Sequence, residues 1–257
     1  MKNTKILILS AMLSCLASPA IADIKFGVAA EPYPPFTAKN AAGVWEGWEV
    51  DVVQAVCATL QEKCEIVEVA WDGIIPALAA KKFDAIAASM VINEKRKKVI
   101  SFSDMYYGGA FALIGAKDGQ APGNAMSGKT IAVQTASVNA DYAEKHYRPM
   151  GADVKAYPTQ DDAQADLAAG RVDYVLANAL ALDAFLLSDA GKACCETKGA
   201  VPADTELGGE VGFGLRQEDT GLQSRLNAAI KSLAANGKLD DIATQWKLTG
   251  RITLPGK

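Results

Sequence analysis

Histidine occurs once in the 257 residues, at His146. One imidazole cannot build a His-rich metal centre, and Ser-His-Asp chemistry would have to run through that single residue. Positive charge is also scarce: 26 Lys and Arg stand against 30 Asp and Glu, for a net charge of −4. That balance argues against nucleic acid or an anionic membrane surface as a partner. Aromatic residues make up only 7% of the chain. No Pro/Ser-rich linker divides the sequence. The leading apolar run, Ile6 to Leu16, falls short of the ~20 residues that span a bilayer.

That run opens what is present. Lys2 and Lys5 lead into it, Ser18-Pro19 breaks it, and Ala20-Ile21-Ala22 gives the small-x-small pattern cut by signal peptidases. Residues 1–22 are expected to be a cleaved secretory signal. Met12-Leu13-Ser14 is a poor lipidation context for Cys15, so no lipid anchor is expected. Cleavage removes two lysines and leaves 24 basic residues against 30 acidic ones. A mature chain of this length buries one large core or two modest ones.

Four cysteines remain. Cys57 and Cys64 lie seven apart, between a helical segment (51–60) and a strand-like one (65–70). In an oxidising compartment that spacing can tie a helix end to the next strand, so a disulfide is expected; two buried free thiols are the alternative. The adjacent Cys194 and Cys195 receive no assignment. Neither pair has zinc spacing, and no metal or cofactor is expected.

Apolar runs alternate with helical stretches. Ile24 to Ala30 reads as a buried strand entering a Pro-rich loop, Glu31 to Phe36. A helix from about Asp51, a strand near Cys64 to Val69, a helix from Asp72 to Lys81 and a strand from Asp84 to Ala88 follow. This order predicts an α/β fold with mostly parallel sheet. Residues 77–89 (ALAAKKFDAIAAS) are echoed 89 residues later by 166–178 (DLAAGRVDYVLAN). Each copy closes an apolar strand on a polar residue, Ser89 or Asn178. Two similar lobes are implied, with a cleft where the strand ends face each other. In the second lobe, the strand Thr130 to Val133 runs through Gln134-Thr135-Ala136-Ser137 into a helical run, Asn139 to Tyr147. Free backbone N–H groups there suit an anion, and an ordinary Ser N-cap accounts for the same stretch equally well.

Over roughly residues 24–250 the motifs E-P-Y-P-P-F (31–36), G-W-E-V-D (47–51), W-D-G-I-I-P-A-L (71–78), K-K-F-D-A-I (81–86), N-E-K-R (93–96), F-S-D-M-Y-Y (102–107), G-R-V-D-Y-V-L-A-N (170–178) and V-G-F-G-L-R (211–216) occur in order. In these the chain resembles the periplasmic polar amino-acid binding proteins of ABC importers, the group of lysine/arginine/ornithine, histidine, glutamine and octopine/nopaline binders. The resemblance implies a type II periplasmic binding protein, with lobe one at 23–108 and 212–257 and lobe two at 109–208. Crossings near 107–109 and 208–212 would form the hinge.

The resemblance also implies a site. Arg96 would grip the ligand's α-carboxylate, against the alternative that it is one charge in the solvated run Lys95 to Lys98. Tyr33 and Trp71 would sandwich the ligand side chain. Ser89 would meet the ligand through its backbone or hydroxyl, and Thr135 and Ser137 would complete the carboxylate cage from the second lobe. Two departures stand out: Val91 replaces a serine common in the family, and Asn178 replaces the usual aspartate for the α-ammonium, as in opine binders. A ligand with a secondary or modified amine fits Asn178 better than a plain amino acid, and Glu31 is a candidate for the missing negative charge. The expected partners are an amino-acid-like ligand and the membrane permease with its ATPase; the protein is expected to be a periplasmic monomer. The rivals are a dehydratase-type enzyme on the same fold, with Glu31 as its one candidate base, and a soluble sensor module.

Overall fold

The computed structural model describes residues 23–123, 126–201, 207 and 209–257. The expected signal, residues 1–22, lies outside the described residues, as does Gly208. Two five-stranded sheets organise the chain. In spatial order the first contains Cys64–Val69, Ile24–Ala29, Ala85–Ile86, Gly214–Leu215 and Ser101–Phe102; the second contains Asp153–Tyr157, Thr130–Gln134, Tyr174–Asn178, Phe111–Ala116 and Cys195–Val201. The first three strands of each are parallel, and the next two junctions are antiparallel. The two sheets share one topology.

The sequence echo has a structural counterpart in a repeated clamp. The Asp84 carboxylate accepts from the Lys25 N–H at 3.0 Å, while the Asp84 N–H donates to the Lys25 carbonyl at 2.8 Å. Asp173 makes the same pair with Thr130, at 2.8 and 3.0 Å. Each aspartate stands just ahead of its sheet's third strand and locks it to the second. A one-residue slip would turn every side chain to the opposite face. The clamps thus fix where the strand ends release Ser89 and Asn178.

The helix Trp48–Leu60 starts three residues earlier than expected because Gly47, at φ 133°, turns the chain into it. Glu49 and Asp51 occupy its first turn, where the helix dipole favours negative charge. Trp48, Val52, Val53 and Val56 are buried, and the helices Thr220–Ala235 and Lys238–Gln245 pack against it. Its last turn is tied to the next strand by a Cys57–Cys64 disulfide. A second disulfide joins the adjacent Cys194 and Cys195, where the helix Asp189–Cys194 gives way to the edge strand. The expected helix 72–81 is a 3-10 turn, Trp71–Gly73, followed by the helix Ile74–Ala79. The expected run 139–147 is the helix Val138–Tyr142 continued by a π turn, Ala143–Tyr147.

The chain crosses between the sheets at Tyr107–Gly108 and returns at Glu210–Val211, and the two crossings pair antiparallel. Gly109 donates to the Gly209 carbonyl at 2.8 Å, and Gly209 sits at φ 140°, a conformation that L side chains rarely adopt. The scarce aromatics concentrate beside these crossings. Tyr106 stacks on Phe213 at 4.4 Å and on Trp48 at 6.0 Å, while Phe36 stacks on Tyr107 at 5.2 Å. Burial of these rings anchors the crossing segment in the first sheet's core. No helix among the described residues is long and apolar enough to cross a membrane.

Candidate ligand-binding site

The carboxyl ends of strands from both sheets converge on one cleft. Ala29 and Ser89 reach it from the first sheet, Gln134 and Asn178 from the second. Open α/β sheets place their ligands at such strand ends. Glu31, Tyr33, Trp71, Arg96 and Ser137 line the same cleft. Thr135 is not among the lining residues, but its carbonyl accepts from the Trp71 indole N–H at 3.0 Å. Three further bonds cross between the lobes: Arg96 to the Ala136 carbonyl at 3.2 Å, Lys95 to Asp141 at 2.8 Å, and Arg251 to Asp183. The lobes are closed on each other.

Arg96 sits on the short helix Glu94–Lys97, capped by Asn93, whose side-chain oxygen accepts the Arg96 N–H at 2.8 Å. Lys95 and Lys97 are exposed, whereas Arg96 is only 8% exposed, which separates it from the solvated run around it. Its guanidinium donates to the Val91 carbonyl at 2.8 Å and to Ala136, and lies 5.5 Å from the Trp71 ring. Burial pulls its pKa down to about 10, against the opposing pull of Asp141. Two of five N–H donors are used, and no carboxylate among the described residues pairs with it.

Ser137 caps the helix Val138–Tyr142: its hydroxyl accepts from Ala140 N–H at 3.1 Å and donates to the Gln134 carbonyl at 2.6 Å. Its hydroxyl is therefore occupied within its own lobe. Asn178 is likewise a cap. Its Oδ1 accepts from Leu180 N–H at 2.9 Å, while its Nδ2 is turned toward Gly109, another cleft residue. The Tyr33 hydroxyl is buried, which raises its pKa, as does the charge of Glu49; the Asn178 backbone amide acts in the opposite direction.

Sequence reasoning passed over three residues. Glu49, quoted only within the G-W-E-V-D motif, is fully buried and accepts from Ser89 N–H at 2.8 Å and Ser89 Oγ at 3.0 Å, and from the Tyr106 hydroxyl. Asn139 and Gln160 line the cleft from first turns of helices in the second lobe. Asn139 Oδ1, Gln160 Nε2 and Glu31 Oε2 are buried with no hydrogen-bond partner, so three polar atoms of the cleft stand ready for a polar guest. The sequence held a signal for Gln160, since Thr159-Gln160-Asp161-Asp162 is an N-cap pattern placing Gln160 in a first turn.

Two like-built lobes closed over a polar cleft define a bilobal solute-binding protein. The model of the bacterial extracellular solute-binding proteins, family 3, matches residues 24–249, and the chain belongs to that family. It is 37% identical over 251 residues to the L-arginine-binding protein of Pseudomonas aeruginosa, covering 94% of this chain and 96% of that one. It is 36% identical over 217 residues to the lysine/arginine/ornithine-binding periplasmic protein of Escherichia coli K12, covering 83% and 84%. A solved ancestral arginine-binding protein bound to arginine superposes with a TM-score of 0.79 at 29% identity, over 87% of this chain and 97% of that one.

Proposed function

We propose that this chain is the periplasmic capture component of an ABC importer, and that it closes its lobes around a polar or cationic amino acid or a derivative of one. The carrying observation is Arg96: a buried guanidinium, facing the cleft with donors to spare and no carboxylate partner of its own. Such a group is stabilised by a guest carboxylate, which guanidinium can hold bidentately. Glu31 Oε2 and Asn139 Oδ1 are buried acceptors for a cationic side chain, and Tyr33 and Trp71 supply aromatic walls. The arginine and lysine/arginine/ornithine binders named above support the same ligand class. A permease and an ATPase would receive the closed form, and the protein would act as a monomer without catalysing a reaction. Thermal-shift screening of the mature protein against amino acids, polyamines and opines tests this, since a ligand at 100 Kd stabilises by ~2.7 kcal/mol. Absence of any shift across the panel would overturn it.

Asn178 refines the ligand. Its oxygen is committed to the helix cap, so it offers the cleft a donor, which suits a substituted amine bearing its own acceptor better than a primary ammonium. Asn178→Asp keeps a cap-competent oxygen and replaces the donor with an acceptor. The variant is expected to gain affinity for arginine and ornithine and lose it for an opine, the ratio moving about tenfold per ~1.4 kcal/mol. Calorimetric titration with arginine and octopine measures this; an unchanged ratio would reduce Asn178 to a helix cap alone.

A further inference from the structure

Glu49 is the one fully buried carboxylate among the described residues of the core, and no lysine or arginine there pairs with it. Every group that meets it is a donor: the Ser89 amide, at 2.8 and 3.0 Å to its two oxygens, the Ser89 hydroxyl at 3.0 Å, and the Tyr106 hydroxyl. Three donors suit an ionised carboxylate, yet a buried charge without a counter-charge is costly. Burial accordingly raises its pKa, and the donors from Tyr106 and Ser89 pull it back.

This carboxylate stands one residue behind the cleft wall. Ser89, its partner, lines the cleft and is held at φ 48°, a left-handed conformation unusual for serine. Tyr33, another wall residue, feels the charge of Glu49 through its own raised pKa. The remaining carboxylate candidate, Glu31, has an oxygen 3.4 Å from the Trp71 amide and so belongs to the Trp71 end of the cleft. Among the described residues no carboxylate other than Glu31 lines the cleft, Ser89 stands two residues from Val91, whose carbonyl holds Arg96, and the facing lobe's Asn178 has its oxygen already used.

We infer that Glu49 is a positioning residue for the ligand's amino group: it holds Ser89 in place at the cleft wall and supplies, from behind that wall, the negative charge that completes the ammonium's site. This rests on the amino-acid reading of the cleft and names the missing counter-charge. It acts through Ser89 without touching the ligand.

The test pairs a variant with a change in the ligand. Affinities of L-arginine and of its deaminated analogue, 5-guanidinopentanoate, are measured calorimetrically on wild type, Glu49→Gln and Glu49→Asp. Glu49→Gln is expected to weaken arginine about tenfold or more while leaving the amine-free analogue within about twofold, and Glu49→Asp to retain the preference for the amine. Equal weakening of both ligands would show a purely structural role and overturn the inference. Wild type that binds neither arginine, lysine, ornithine nor octopine would instead remove the amino-acid reading, and this inference with it.

Should Glu49→Gln fail to fold, the pH profile of the wild type decides. Burial raises the Glu49 pKa, so its protonation as pH falls removes the charge and arginine should lose affinity relative to the analogue toward acidic pH. The other titratable groups facing Glu49 are Tyr33, Tyr106 and Tyr107, all raised by burial and neutral at acidic pH. A ratio independent of pH would overturn the inference.

Discussion

Arg96→Ala should weaken binding of the cognate ligand by roughly 2–4 kcal/mol, because truncation leaves a buried carboxylate without its charge-assisted partner. That corresponds to a loss of about thirtyfold to a thousandfold. The side chain also carries one of the bonds between the lobes, to the Ala136 carbonyl, so closure loses a contact together with the ligand. The fold should survive. Arg96 lines the cleft, and the Asn93 cap that shapes its helix bonds the Arg96 backbone amide, which alanine retains. Arg96→Lys should recover only part of the affinity, since an ammonium cannot reproduce the planar fork or span Val91 and Ala136 together. Calorimetry reads all three proteins, with thermal melts confirming that they are folded. Unchanged affinity in Arg96→Ala would remove the carboxylate grip from this position.

Replacing both Cys57 and Cys64 by serine should destabilise the protein by roughly 2–3 kcal/mol, the loop-entropy value for a cross-link of this length. The bond joins the last turn of a core helix to the start of an edge strand in the first sheet, so its loss frees that strand–helix connection in the unfolded chain. Serine substitution of Cys194 and Cys195 should have a far smaller effect. A bond between sequence neighbours encloses almost no chain and removes little unfolded-state freedom. Urea denaturation under non-reducing conditions compares the two double variants. Equal midpoints for wild type and the Cys57/Cys64 variant would show that this bridge does not contribute to stability.

The aspartate clamps show how far a linear pattern reaches. Both Asp84 and Asp173 stood out as members of the echo, but nothing in the pattern indicated that each would hold the backbone of a strand some 43 to 59 residues earlier. The strand itself was visible through its apolar run, and its register was not, because register depends on which neighbour it meets. Asn139 and Gln160 were passed over for the same reason: a polar residue in a helix's first turn is ordinary until the opposite lobe closes over it.

The sequence by itself determined the alternation of strands and helices and the doubled architecture, because those follow from local periodicity and motif order; the short Cys57–Cys64 spacing allowed a disulfide, and the family resemblance implied most, though not all, of the residues that line the cleft. Only the tertiary structure decided what each polar atom is left to do. Ser137 and Asn178 present the same residue types expected of ligand contacts, but their side-chain oxygens are drawn into helix caps, which compete for the same lone pairs. Arg96 stands in a run of four basic residues that reads as a solvated face, yet in the closed structure it is buried, bonded to Val91 of its own lobe and Ala136 of the other. Glu49 lies in a helix's first turn, where a carboxylate usually meets water; packing under Tyr106 and Ser89 takes the water away and leaves its charge to act on the cleft.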